Sequence, residues 1–500
     1  MRAYLYLIPI VFLIIFGSSC RKNFEYAPSS GNLSFSKDTV YLDTIFSSIS
    51  SSTYSLKVYN KTRDDVVIPN ISLENGENSG YRLNVDGVAG KSFHNIPLFA
   101  KDSLFIFIEV TQSITTQQNS ILYTDVILFD SGIDLQQVSL VTLIKDAVFI
   151  YPTTLGNNTK EQIFIGFNDS GKEILTNGTT LKGEKLHFTN KKPYVIYGYA
   201  SVPSDNELII DAGSRIHFHK NSGLVVQEKA SIKVNGVLSL DEKLQEGEVI
   251  FEGDRLEPEF TNIPGQWSSI RLNKGSINNL INYATIKNAT NGIYIEGDVE
   301  NPDNRLQINN SQIYNSNNIN LWGKTAKINA TNIVLGGAGN TSLFCNLGGE
   351  YSFIHATIAN YWTHGFREGY ALKIDNKNDL ISSEFSNCII DGNKNDELNF
   401  ELNKDAQFQI LFTNCIITTS VTNEGNPLLD FSNEEYYANT YTNEDIGFIN
   451  PNKNNFTIKN TSFAIDKGNL EKYSLAPLDL KGTNRLPLPD IGAFEFIKNK

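Results

Sequence analysis

Several groups of residues have the types and spacing to do chemistry. His217 and His219 lie two apart, alternating with Ile216 and Phe218. A strand there turns both imidazoles to the outer face, a geometry able to ligate a metal. No third ligand accompanies them, so the expectation is an exposed strand pair, with no metal and no cofactor. His355, Trp362, His364, Arg367 and Glu368 fall in an irregular stretch with Tyr361 and Tyr370. Polar groups beside rings hold sugars by stacking and hydrogen bonding, so these five are candidate lining of a ligand groove. The same composition also fits a loop packed over a core with its aromatics buried. Asp391, Asp396 and Glu397 supply carboxylates, and glycoside hydrolysis needs two of them about 5–10 Å apart. Acidic residues after a strand equally form solvated turns, and no catalytic residue is assigned. Asp375-Asn376-Lys377-Asn378-Asp379 has the residue types of a calcium loop but lacks the sixth-position Gly and the closing Glu.

The elements that must position these groups are strands. Leu208 and Ile210, Ile216 and Phe218, Leu224 and Val226, and Ile232 and Val234 are apolar pairs separated by short polar or Gly turns. Such pairs are short strands with one face inward. Further on the chain repeats itself. Phe385-Ser386-Asn387-Cys388-Ile389-Ile390 returns as Phe412-Thr413-Asn414-Cys415-Ile416-Ile417. Ile286, Ile313, Ile333, Ile358, Ile389 and Ile416 are taken as equivalent positions of one repeat. Repeats of about 20–30 residues without helical period mean one β-coil per repeat, each stacked about 4.8 Å above the last. An Asn at a repeated turn can then bond the Asn above and below. Residues 190–430 would make on the order of ten coils, roughly 45–50 Å long. Cys388 and Cys415 should be neighbours one layer apart. That separation permits a disulfide, but parallel side chains are poorly angled for one, and a reduced pair in the core is the alternative. Cys-x-x-Cys does not occur, so a structural zinc site is not expected.

Residues 33–146 show alternating runs at roughly ten-residue spacing, such as Leu104 to Val110, which indicates an antiparallel β-sandwich. With Phe35 to Val40, Lys57 to Asn60 and Lys101 to Leu104, this segment resembles the immunoglobulin-like modules of Bacteroidota lipoproteins. Three tripeptides resemble the Asp-Ser/Thr-aliphatic O-glycan acceptor of exported Bacteroidota proteins. They make Thr39, Thr44 and Ser103 candidate modification sites, although Asp-Thr and Asp-Ser are also common at strand starts.

At the N-terminus, Arg2 precedes an apolar run from Leu5 to Phe16, too short to span a bilayer and suited to a signal sequence. Gly17-Ser18-Ser19-Cys20 resembles a bacterial lipobox. The resemblance implies that residues 1–19 are removed and that Cys20 carries acyl chains, palmitate among them. Several chains on one Cys anchor stably where one does not. Arg21 after the Cys implies transport to the outer membrane, and the membrane face stays open. Residues 20–32 would be the lipidated Cys and a polar tether.

Residues 147–435, with 436–500 as closing coils and cap, resemble the right-handed parallel β-helix lipoproteins of Bacteroidota. The marks include Lys192 to Gly198, Ala212 to Ile216, Ala230 to Gly236, Pro264 to Ile270, Phe463 to Gly468, and Asp490 to Glu495. A Pro-containing end (Pro477, Pro487, Pro489) suits a cap that hides the last open edge.

Composition narrows the function. There are 42 Lys+Arg against 55 Asp+Glu, a net of −13, which argues against a nucleic-acid partner. The expected fold is all-β, a sandwich followed by the β-helix. The expected protein is a monomeric, non-catalytic outer-membrane lipoprotein, held to the membrane through its lipid. Its elongated surface would serve polysaccharide or envelope-protein binding, or envelope architecture. The alternative is a polysaccharide lyase or glycoside hydrolase of the same fold.

Overall fold

The computed structural model describes residues 27–115, 118–168, 170–298, 305–420 and 427–497. Over these residues the chain is all-β, and its helical pieces are single 3-10 turns. It divides into two compact units between Asp146 and Ala147.

In the first unit, one sheet is built on Val66–Leu73, Ser120–Phe129, Gln136–Lys145 and Thr39–Phe46. A second is built on Tyr54–Tyr59, Ser103–Val110 and Tyr81–Val85. Most pairings are antiparallel, but Thr39–Phe46 runs parallel to Gln136–Lys145. Alternate residues from both sheets, including Val40, Leu42, Leu56, Val58, Ile106 and Ile108, form one core. The alternation places Phe105 and Phe107 on the exposed side of the same strand.

The second unit is three parallel ladders visited in a fixed order. One circuit takes Arg215–Phe218 on the first ladder, Gly223–Val226 on the second and Ser231–Asn235 on the third, then returns to the first at Val249–Gly253. Successive ladder strands pair in parallel with their counterparts one circuit later, for example Ile216 with Phe251, Leu224 with Ile270 and Val234 with Ile281, while Gln162–Phe167 with Glu173–Thr180 and Phe448–Asn450 with Asn455–Ile458 are antiparallel hairpins. In Ile319–Thr331 and Thr341–Ile354 the second and third ladders join as one bent strand. Inward residues of all three ladders make a single core, in which like stacks on like. Phe353, Phe385, Phe412 and Tyr437 stack with centroid spacings of 5.2, 4.9 and 5.5 Å.

The register corrects three of the expected equivalences. Ile313 pairs with Leu335, not Ile333; Ile358 likewise pairs with Leu335 on one side, and with Ile390, not Ile389, on the other. The inward series is Ile286, Ile313, Leu335, Ile358, Ile390 and Ile417, and its steps are unequal. The ladders also continue past residue 435, through Tyr437–Ala438 and Tyr441–Thr442.

One corner recurs unchanged. Between the third ladder and the first, a single residue takes a positive φ of 42–56° in seven successive circuits: Tyr283, Asn310, Asn332, His355, Asn387, Asn414 and, at 49°, Asn439. Asn tolerates this left-handed conformation better than other non-Gly residues. In the six circuits from Tyr283 to Asn414, the residue's N–H donates to a carbonyl of the next circuit, as from Asn332 to Ile354 O and from Asn387 to Thr413 O. Side chains bond between circuits as well, Asn332 Nδ2 to Asn310 Oδ1 at 3.0 Å and Asn387 Nδ2 with His355 Nε2 at 2.9 Å.

The closing segment does not cap the stack. It folds back over the outer face of the first ladder, where Ile446, Phe456, Ile491 and Phe494 bury Val334, Ala359, Ile389 and Ile416. The corner asparagines receive it: Asn332 Nδ2 donates to Leu478 O at 2.7 Å, and Asn414 Nδ2 to Lys467 O at 2.9 Å. Leu428 and Phe431 cover the last circuit instead, with Phe431 4.5 Å from the Tyr437 ring. A cap must present apolar groups to the open core, and those two do so. The proline-containing segment is committed to the side.

Candidate functional site

Outward residues of successive circuits line up in columns, so the chemistry of a face is set by register. On the first ladder His217, Glu252, Lys287 and Tyr314 occupy one column. Lys287 Nζ lies 2.9 Å from Glu252, and His217 Nδ1 lies 3.7 Å from the same carboxylate and 3.2 Å from Gly253 O. Burial would push the Glu252 carboxyl up, but His217 and Lys287 hold it below its ordinary value. Burial would likewise pull Lys287 down, but Glu252 carries it above the usual lysine range. A lysine acting as base needs the opposite shift. The column is therefore a satisfied charge ladder. Beside it Glu248 is raised by burial, although Thr285 and Gln245 donate to it at 3.0 Å. Glu248 lines a cavity of about 340 Å³ whose other carboxylate, Glu242, is paired with Lys481 at 2.7 Å.

On the second ladder the outward column is Arg271, Tyr294, Trp322, Phe344 and Lys373. The Arg271 guanidinium sits 4.4 Å over the Tyr294 ring, and Lys373 Nζ lies 4.9 Å over Phe344. Tyr294 meets Trp322 edge-on at 5.1 Å, and Trp322 stacks near Phe344 at 6.0 Å. Beside the column lies a groove of about 760 Å³, lined not by the five themselves but by strand neighbours such as Asn273 and Glu296. One wall is the hairpin of Gln162–Phe167 and Glu173–Thr180, tied down by Arg271 Nε to Ile165 O at 2.7 Å and Gln227 Nε2 to Phe164 O at 2.8 Å. The opposite side carries Asn273, Glu228 and two ion pairs, Lys274 with Asp298 at 3.1 Å and Lys324 with Glu296 at 2.8 Å. Rings stacked along an axis, beside amides and paired charges, can hold a polyhydroxylated chain.

The five residues expected to line a groove are not brought together on one surface. His355 is fully buried at the asparagine corner, with Nδ1 3.2 Å from Gly492 O, and burial drives its pKa well down. Arg367 is buried against Glu397 at 2.5 Å, and Trp362 is buried as well. Only His364 and Glu368 are exposed. A composition of rings and charges fits a packed loop as well as a groove, and here packing holds. The Asp391, Asp396 and Glu397 carboxylates are each engaged by donors of their own. Tyr361 and Thr418 donate to Asp391, Ser420 to Asp396, and Arg367 to Glu397. Asp375 accepts from Asn346 and from the backbone of Leu347.

His217 and His219 share the outer side of their strand, but only His219 is exposed, 2.8 Å from Asp254 and stacked on Tyr197. Among the described residues, no group of three His, Cys, Asp or Glu is placed to hold a metal. Cys345, Cys388 and Cys415 are free and buried. Thr39 and Ser103 begin their strands and Thr44 lies within one, all three half-buried. Cys20 lies outside the described residues.

Trp267 packs in the core, 4.3 Å from Phe218, as its apolar surroundings imply. Trp322 does not: it faces outward, half-buried. Its column escaped sequence reading because its members are unevenly spaced and carry no motif.

No family model matches the chain, and no curated protein matches it. Among solved structures, 26% of the chain is similar to a PapD-like domain of human CEP192, with 10% identity, 94% of that chain covered and a TM-score of 0.16. A further 29% match is to a family 123 glycoside hydrolase from Clostridium perfringens, with 7% identity, 43% of that chain covered and a TM-score of 0.15. Likenesses of this size carry no argument about fold or activity.

Proposed function

We propose that the protein is a lipid-anchored envelope protein of the Bacteroidota type, an immunoglobulin-like sandwich followed by a right-handed parallel β-helix. Its helix face binds a glycan without cleaving it. The fixed order of the three ladders, each strand parallel to its counterpart, supports the helix. The observation that carries glycan binding is the Arg271–Tyr294–Trp322–Phe344–Lys373 column beside the groove of about 760 Å³. The lipid on Cys20 would keep this face at the outer membrane, with no nucleic-acid partner and no need of a second copy.

One observation favours the alternative, a lyase or hydrolase of polysaccharides: Glu248 is a carboxyl raised by burial and lining a cavity. Against it, hydrolysis needs a second free carboxyl, and Glu242 is engaged by Lys481. Incubating the purified protein with a polysaccharide panel tests both readings. Binding without new reducing ends or unsaturated-uronate absorbance is expected. Product formation overturns the non-catalytic reading, and an architectural role alone predicts no binding.

A further inference from the structure

A second groove of about 550 Å³ lies between the outer face of the third ladder and residues 475–478 of the closing segment. Its lining contains no Asp, Glu, Lys, Arg or His, in a chain of which 19% is charged. The floor is two columns of amides and hydroxyls. Gln307, Asn329 and Ser352 follow one another on successive circuits, and Asn282 and Asn309 stand beside them. Asn309 Nδ2 donates to Asn282 Oδ1 at 2.9 Å, which fixes that pair. Gln307 and Asn329 are exposed, and no protein hydrogen bond engages their amides among the described residues. The wall is apolar: Leu475 is 59% exposed and Leu478 43%, with Pro477 between them.

We propose that this groove is a binding site for a neutral oligosaccharide. The proposal rests on the glycan-binding reading above but concerns a different face. Each free amide offers two donors and an acceptor, which matches vicinal hydroxyls that both give and take hydrogen bonds. Circuits repeat at about 4.8 Å, so Gln307 and Asn329 present the same amide twice at a step comparable with one sugar ring. The leucine and proline wall covers the apolar face of a ring. Absence of charge from the lining sets the ligand class: the bordering cations are already engaged, Lys327 by Glu350 and Arg485 by Glu495, so a uronate or sulfated chain entering here would lose hydration without either being free to replace it. The volume lies within the range of about 300–1,000 Å³ usual for small-ligand sites. The first groove, lined by Lys274, Glu296 and Asp298, has the opposite character.

The test uses the full chain from Arg21 onward and titration calorimetry. The probes are neutral gluco-, manno- and xylo-hexasaccharides, with an oligogalacturonate of equal length. At least one neutral hexasaccharide should bind, and the Gln307→Ala/Asn329→Ala variant should weaken it tenfold or more. Both positions are exposed, so the thermal midpoint should stay within a few degrees of the parent's. The proposal is overturned if no neutral hexasaccharide binds, if the double variant binds as the parent does, or if the oligogalacturonate competes at the same site. If only Trp322→Ala abolishes binding, the glycan-binding reading stands and this second site falls. Failure of every glycan with every variant sinks both.

Discussion

Arg485 donates from Nη2 to Asn332 Oδ1 at 2.8 Å, across 153 residues of chain. The same guanidinium pairs with Glu495 at 2.5 Å, so one buried cation joins the closing segment to a corner of the third circuit in the asparagine series. Arg485→Met should leave Glu495 buried without its partner and Asn332 without its donor. Breaking such a pair costs about 3–5 kcal/mol. Urea unfolding followed by Trp fluorescence should show the loss. A change below about 1 kcal/mol would mean that the segment is held by its apolar contacts alone.

Burial outweighs Arg485 at Glu495 and lifts its carboxyl from 4.5 to about 7. The folded state therefore binds this proton more tightly than the unfolded chain. Its contribution is fully present below about 4.5 and is lost as pH rises through about 7. Asp490, also raised by burial, acts in the same direction. The fall from this one group should be on the order of 3 kcal/mol. Glu495→Gln should flatten stability between those two pH values, and an unchanged slope would refute the assignment.

Trp322 lies outside the core, so Trp322→Ala should change the unfolding midpoint little while weakening a bound glycan about tenfold, or ~1.4 kcal/mol. Lys373→Ala should weaken it less, since Lys373 covers an edge of the column. Equal affinity in both variants and parent would remove the column from the binding surface.

Cys345 and Cys415 are fully buried, and burial drives both thiols well above the ordinary range. Thiols held protonated react slowly. For the chain from Arg21 onward, a thiol reagent should titrate three groups in denaturant and essentially none in the native state. A denatured count of one would reveal a Cys388–Cys415 disulfide.

Lipidation is expected at Cys20 alone. Cys20→Ala should move the protein out of the outer-membrane fraction, because a single remaining apolar segment of this length cannot span. Continued fractionation with the membrane would refute the anchor.

The repeat was legible where like residues stack. Phe385-Ser386-Asn387-Cys388-Ile389-Ile390 and its return at Phe412 lie in register, with Phe385 opposite Phe412 and Ile389 opposite Ile416. The slips at Ile333 and Ile389 have a physical cause. Ile333 is itself a core residue, two places before Leu335, so both read as inward; at the other slip the closing segment buries the outer side of the first ladder, so Ile389 is as apolar as Ile390. Alternation carries no face information in a strand buried on both sides. The candidate site was less legible because its members meet only through pairing. Tyr294, Trp322 and Phe344 become neighbours once their strands are in register, and nothing local marks them. His355 misled for a related reason: it fills a corner otherwise held mostly by asparagine, where a polar residue signals backbone conformation.

The one-residue corner from Tyr283 to Asn439 acts as the datum line of the stack. Circuits differ in length, the one from Ile358 to Ile390 being longer than the one from Leu335 to Ile358. The corner nevertheless stays one residue long in all seven, so every insertion has been absorbed elsewhere. Foreign peptides grafted at the exposed tip 363–366, clear of the buried Trp362 and Arg367, would leave the rungs aligned. One residue added at Asn387 would offset every later strand by a position, exchange its inner and outer sides, and unfasten the segment that lies along the corner. That asymmetry makes the molecule a natural display scaffold, with its forbidden graft sites marked by the corner series.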